Sequence, residues 1–66
     1  MATFSINVTV KATTDKAVLV EDEDGKEEWV PVSQIDASSA ISEESMVDDE
    51  GELVMTEWIA RKKGWL

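Results

Sequence analysis

From Thr3 to Lys11 apolar and polar residues alternate without a break, with Phe4, Ile6, Val8 and Val10 on one side and Ser5, Asn7 and Thr9 on the other. A period of two is the signature of a β-strand with one face buried, and no helix can place those four apolar side chains together. The chain must therefore build a sheet with a core on one side. Ala12 to Lys16 reads as a turn, and Ala17 to Glu21 as a second strand rich in β-branched residues. The Asp24-Gly25 pair predicts a tight hairpin turn with positive φ values, returning the chain as a third strand from Lys26 to Val32. Pro31 lacks a ladder donor, so it is expected on an edge or where pairing ends.

Beyond Pro31 the pattern weakens. Ser33-Gln34-Ile35 is compatible with a short strand, while residues 36–51 form a polar stretch whose few apolar points are Ile41, Met46 and Val47. So long a stretch inside a small domain implies a functional loop or an element without obvious periodicity. A short helix across residues 37–45 is one such element. Glu52 to Met55 reads as the last strand, with Gly51 turning into it. Thr56 is a suitable N-cap for a helix from Glu57 to Lys63 ending at Gly64. Glu57 at the start and Arg61, Lys62 and Lys63 at the end complement the helix dipole, and Glu57 is placed to pair with Arg61. Trp58 and Ile59, with Trp65 past the cap, are expected to press this helix onto the sheet. The fold class is mainly β with an α+β element: one domain over 1–66, a small antiparallel β-barrel or sheet, SH3- or OB-like, with a short C-terminal helix.

At 66 residues such a domain buries only about 60 % of the surface its unfolded chain exposes. Small scaffolds commonly add disulfides, a metal or self-association, and this chain has no cysteine and no histidine. A homodimer is the remaining route, with a lean monomer as the alternative. The same absences exclude a thiol nucleophile, an imidazole base and a zinc site with sulfur or nitrogen ligands. Catalysis would rest on carboxylates in a pocket able to shift their pKa values, which so small a core leaves little room for; the chain is expected not to be an enzyme, and to need no cofactor. No apolar run approaches the roughly 20 residues of a membrane helix, and there is no signal-peptide layout. The expected location is the cytoplasm, with no membrane contact.

Fifteen acidic residues against six basic ones give a net charge of −9. Phosphate backbones recruit positive surfaces, so direct nucleic-acid binding is disfavoured and a basic protein partner is favoured; acidity that serves only solubility is the plain alternative. The charge is segregated: Glu21 to Glu52 holds thirteen acidic residues and one basic, Lys26, and the remainder holds two acidic and five basic. The candidate partner-binding acids are Glu21, Asp22, Glu23, Asp24, Asp48, Asp49 and Glu50. The run before Gly25 only loosely resembles a calcium loop, because the alternating ligands and the distal glutamate are missing, so no metal site is assigned. Trp29 and Trp58 are expected in the core or at a dimer interface, and Trp65 as a partly exposed contact. Trp65 with Arg61, Lys62 and Lys63 forms a candidate basic-aromatic patch, for which charge-complemented helix termination is the plain reading.

Lys16-Ala17-Val18-Leu19-Val20, Asp24-Gly25, the segment from Trp29 to Ile35 and the closing Glu57 to Leu66 follow a pattern KAxLV, DG, WxPxSQI and WxAxKKGL. In these the chain resembles a group of small bacteriophage and prophage proteins. The resemblance covers most of the chain and implies a compact β-barrel-like fold made in the bacterial host cytoplasm, with Trp29 in the barrel core and Ser33 or Gln34 bonding backbone groups freed by Pro31. It attaches no activity, and this chain is richer in acid through the loop. With the charge segregation it yields three expectations. The first is an acidic interaction module that binds a basic host protein, as an inhibitor of a nuclease or CRISPR effector would. The second is a small barrel that binds single-stranded nucleic acid, and the third a structural or assembly component of the phage particle.

Overall fold

The computed structural model describes residues 2–66. Strands β1 (Thr3–Thr13), β2 (Ala17–Asp22) and β3 (Glu27–Pro31) form an antiparallel meander. A 3-10 turn over Val32–Gln34 follows, then β4 (Glu50–Thr56) and helix α1 (Glu57–Lys62). β4 pairs antiparallel with β1 on the side away from β2, which gives one four-stranded sheet of order β3-β2-β1-β4. The mainly β reading with a C-terminal helix holds, in its sheet form: the strands do not close into a barrel.

The alternation in β1 does what its period demands. Val8 and Val10 are buried, and they meet Val18, Val20, Val30, Leu53 and Met55 from the other strands. Ile59 and Ala60 of α1 and Ile41 of the long loop cover this face. β1 is longer than its alternation because Lys11 is an extra residue: Val10 opposes Val20 and Ala12 opposes Leu19. The bulge exchanges the faces, so that Thr13 instead of Ala12 opposes the buried Val18.

The β2–β3 turn differs from its expected form. Gly25 alone takes a positive φ, 86°, while Asp24 does not. The loop has three residues: Gly25 N–H bonds Asp22 O at 3.1 Å, and Asp22 N–H closes the ladder onto Lys26 O at 2.9 Å. The Asp22 side chain favours this longer loop by accepting at Oδ1 from the N–H groups of Asp24 and Lys26, both at 2.9 Å. Ser33-Gln34-Ile35 is likewise not a strand. Ile35 makes a single bridge to Met55, and the Gln34 side chain accepts from the Thr56 hydroxyl at 2.7 Å, not from a backbone group near Pro31.

No helix forms over residues 37–45. Serine and aspartate side chains compete there for the backbone and build successive turns. Asp36 Oδ2 accepts from Ser38 N–H, Ser45 Oγ from Ser42 N–H, and Asp49 Oδ2 from Met46 N–H. Ile41, 2 % exposed, pins this chain of turns to the core. At its end Asp48 N–H and Asp49 O both bond Val10, two residues against one, with Asp48 at φ 76°. That bulge leads into β4 at Glu50, so Gly51 lies inside the strand.

α1 starts as expected, with Thr56 Oγ1 accepting from Ile59 N–H at 3.4 Å. It ends in a Schellman arrangement: Gly64 at φ 84° donates to Arg61 O, and Trp65 N–H donates to Ala60 O. Glu57 pairs with Arg61 at 3.7 Å.

Candidate functional site

One face of the sheet carries the core and α1; the other is open. Register decides what stands there. Thr9, between the buried Val8 and Val10, faces outward, opposite Glu21 on β2 and Glu50 on β4. Glu21 in turn opposes Glu27, and Asn7 opposes Glu52. Two cross-strand rows thus hold Glu27, Glu21, Thr9 and Glu50 in one, and Asn7 and Glu52 in the next. Glu21, Glu23 and Glu50 line one shallow groove over Thr9 and Asn7. Lys11 reaches Glu21 at 3.5 Å, and this is the ion pair within these rows among the described residues. The next row on the same face is apolar: Trp29 opposes Leu19, and Leu19 opposes Ala12.

Of the seven predicted contact acids, then, Glu21, Asp22, Glu23 and Glu50 border this groove, and Glu27 and Glu52, which composition alone did not single out, stand in the same rows. Period-two phase from Val8 and Val10 would have found Glu52, which is in phase with Glu50 on β4. Asp24 stands at the hairpin tip, exposed. Asp48 and Asp49 lie in the bulge beside Val10, away from the groove. Asp22 is no solvated tip residue. It points the other way, and its Oδ2 accepts the Trp65 indole N–H at 2.8 Å while Oδ1 receives the two backbone donors. The Trp65 bond, then those backbone donors, hold its carboxyl below the usual carboxylate range. With both oxygens occupied by N–H donors, Asp22 has little left for a cation.

Trp29 and Trp58 correct the expectation of a core position, and Trp65 is half-buried. Trp29 and Trp58 are 42 % and 57 % exposed and belong to no core. Trp29 sits one residue from Val30, and it is Val30 that opposes the buried Val18. Ile59 and Ala60 take the inner side of α1, leaving Trp58 outside with Lys62 Nζ 4.7 Å from its ring centroid. Trp65 packs half-buried against the core. The predicted patch of Trp65, Arg61, Lys62 and Lys63 is accordingly divided. Trp65 and Lys63 turn to the hairpin, where Lys63 lies 4.0 Å from Glu28 and Lys26 Nζ donates to Lys63 O, whereas Arg61 and Lys62 are exposed beside Trp58.

Among the described residues no helix is long and apolar enough to cross a membrane. Comparison with models of known protein families, with curated proteins and with solved structures finds no match.

Proposed function

We propose that this chain is a non-catalytic interaction module whose open sheet face binds a basic partner protein. The observation that carries this is the convergence of Glu21, Glu23 and Glu50 on one uncovered groove, with Glu27 and Glu52 in the same rows and an apolar strip at Trp29 and Leu19 beside them. Acids that served only solubility would have no reason to align from β3 and β2 across Thr9 and Asn7 of β1 to β4. A charged field next to an exposed tryptophan is the composition of a contact: electrostatics steer the encounter, and the aromatic side chain supplies most of the affinity. The bacteriophage resemblance extends the proposal to a basic, nucleic-acid-handling host protein in the bacterial cytoplasm, such as a nuclease or CRISPR effector held inhibited.

Affinity capture from bacterial lysate at low salt tests this. The parent chain should retain proteins that a Glu21→Gln, Glu23→Gln, Glu50→Gln, Glu52→Gln variant does not, and about 0.5 M salt, where the Debye length falls to a few ångströms, should release them. Equal retention by parent and variant would refute the proposal.

A second reading has its own observation. The exposed Trp58 with Lys62 over its ring and Arg61 alongside is a small stacking platform of the type that holds single-stranded nucleic acid, against a net charge of −9. Anisotropy with a labelled oligonucleotide at about 0.05 M salt separates the two, since tight binding lost in Trp58→Ala would favour this second surface.

A further inference from the structure

The chain treats the two edges of its sheet differently. The outer edge of β4 is occupied: Val54 O accepts from Asp36 N–H at 2.8 Å, Val54 N–H donates to Ser39 Oγ at 2.9 Å, and Glu52 O accepts from Ala40 N–H at 3.0 Å. The outer edge of β3 is bare. Antiparallel pairing alternates, and the β2–β3 ladder is fixed at its ends by Asp22 N–H to Lys26 O and Val32 N–H to Lys16 O. Glu28 and Val30 therefore bond to β2, while Glu27, Trp29 and Pro31 turn their backbone groups outward. The N–H groups and carbonyls of Glu27 and Trp29 have no hydrogen-bond partner among the described residues. Such a row is a template for another strand.

We propose that β3 accepts an extended segment of a partner protein as an added strand, with a basic residue opposite Glu27 and an aliphatic one opposite Trp29. This deepens the interaction reading above and rests on it. Directly opposed side chains on one sheet face approach within about 5 Å, so a lysine there meets Glu27, which has no ion pair among the described residues. Two residues further along, the same face offers Trp29 beside Leu19. Charge also chooses between occupants. A second copy would bring another net −9 and its own Glu27 and Glu28 against this edge, and like charges in register destabilise a ladder. The same carboxylates that repel a twin attract a basic strand. Pro31 marks where the added ladder stops, since it has no N–H and the chain turns there into the 3-10 segment Val32–Gln34.

The probe is a synthetic peptide that repeats Lys-Thr-Val-Thr, acetylated and amidated, titrated into ¹⁵N-labelled protein at about 0.05 M salt. The expected result is shifts centred on the amides of Glu27 and Trp29 and the Trp29 indole, with slowed exchange of those two amides. Peptides N-methylated on alternate residues are prepared in both frames, and one frame should bind about tenfold or more weaker. Glu27→Gln removes a charge, whereas Glu27→Pro also removes an outward N–H and no ladder bond, so the proline variant should bind severalfold worse than the glutamine variant. Three results would overturn strand addition: both methylated frames binding like the parent peptide, shifts confined to Glu21, Glu50 and Glu52, or a concentration-dependent dimer whose contact maps to Trp29. The second leaves the acidic-face reading standing while this one falls. No binding of the peptide together with capture of a lysate protein divides the two in the same way.

Discussion

Replacing Ser39 by alanine should loosen the covered edge of the sheet. Ser39 Oγ accepts from Val54 N–H at 2.9 Å and from Ile41 N–H at 3.2 Å, and donates to Glu52 O at 3.3 Å. Ile41 N–H keeps a second acceptor, Glu52 O at 3.3 Å, and Glu52 O keeps Ala40 N–H. Val54 N–H keeps none. The loss is thus one half-buried donor left unpaired, about 1–2 kcal/mol. A chain of this size is held by only about 3–10 kcal/mol, and for so small a domain that cost corresponds to a fall in Tm of about 5–15 °C. Thermal unfolding followed by circular dichroism measures the total, and native-state hydrogen exchange locates it. The Val54 amide should exchange about tenfold or more faster than in the parent, relative to Leu53, whose backbone groups face β1. Ser39→Thr, which keeps a hydroxyl at the same place, should restore most of the protection. An alanine variant with unchanged Tm and unchanged relative protection of Val54 would refute the assignment of Ser39 as a side-chain stand-in for a fifth strand.

Three further outcomes follow from the same geometry. Asp22 has a lowered pKa in the fold because Trp65 and the backbone of Lys26 donate to it, so its stabilisation is present above the ordinary carboxylate pKa and is lost as pH falls through the folded value. Trp65→Phe should flatten that part of a Tm-against-pH curve while leaving the Asp36 share, which Ser38 sustains. Gly64→Ala should destabilise by about 1–2 kcal/mol in denaturant unfolding, because the position holds φ 84° and a Cβ there would meet Lys26 Nζ at 2.6 Å. Leu53→Ala should cost about 3–5 kcal/mol and threaten the fold outright, whereas Trp58→Ala, at 57 % exposure, should cost less than about 1 kcal/mol in the same assay.

Much of the architecture could be read where one periodic signal acted alone. Phe4, Ile6, Val8 and Val10 announce β1, and Thr56, Glu57 and Gly64 bound the helix by local capping chemistry that needs no tertiary knowledge. Trp29 shows why the rest could not be read so. Glu27, Trp29 and Pro31 lie on one face of β3 and Glu28 and Val30 on the other, and the large apolar area of the tryptophan favours its own face as the inner one. The choice is made by pairing with Val18 and Val20, a non-local fact. Residues 36–49 were opaque for a different reason: a structure held by side chain–backbone bonds has no period, though the spacings Asp36 to Ser38 and Ser42 to Ser45 carry its signature. The candidate surface was half legible. Glu21, Glu23 and Glu50 assemble as the charge run suggests, but a run of like residues alternates its faces, and so Asp22 is sent inward to a structural post.

The place of β1 between β2 and β4 also sets an order of assembly. β1, β2 and β3 are joined by short turns and can form as a local unit early in folding. Thr3, by contrast, meets Thr56, so the central strand acquires its second neighbour only after the whole serine-rich segment has wound into place. Closing so wide a loop is slow by comparison with hairpin formation, and until it happens the unit presents two bare margins instead of one. Lys11 on the β1 margin and the carboxylates of Glu27 and Glu28 on the β3 margin then oppose the annealing of neighbouring half-formed chains.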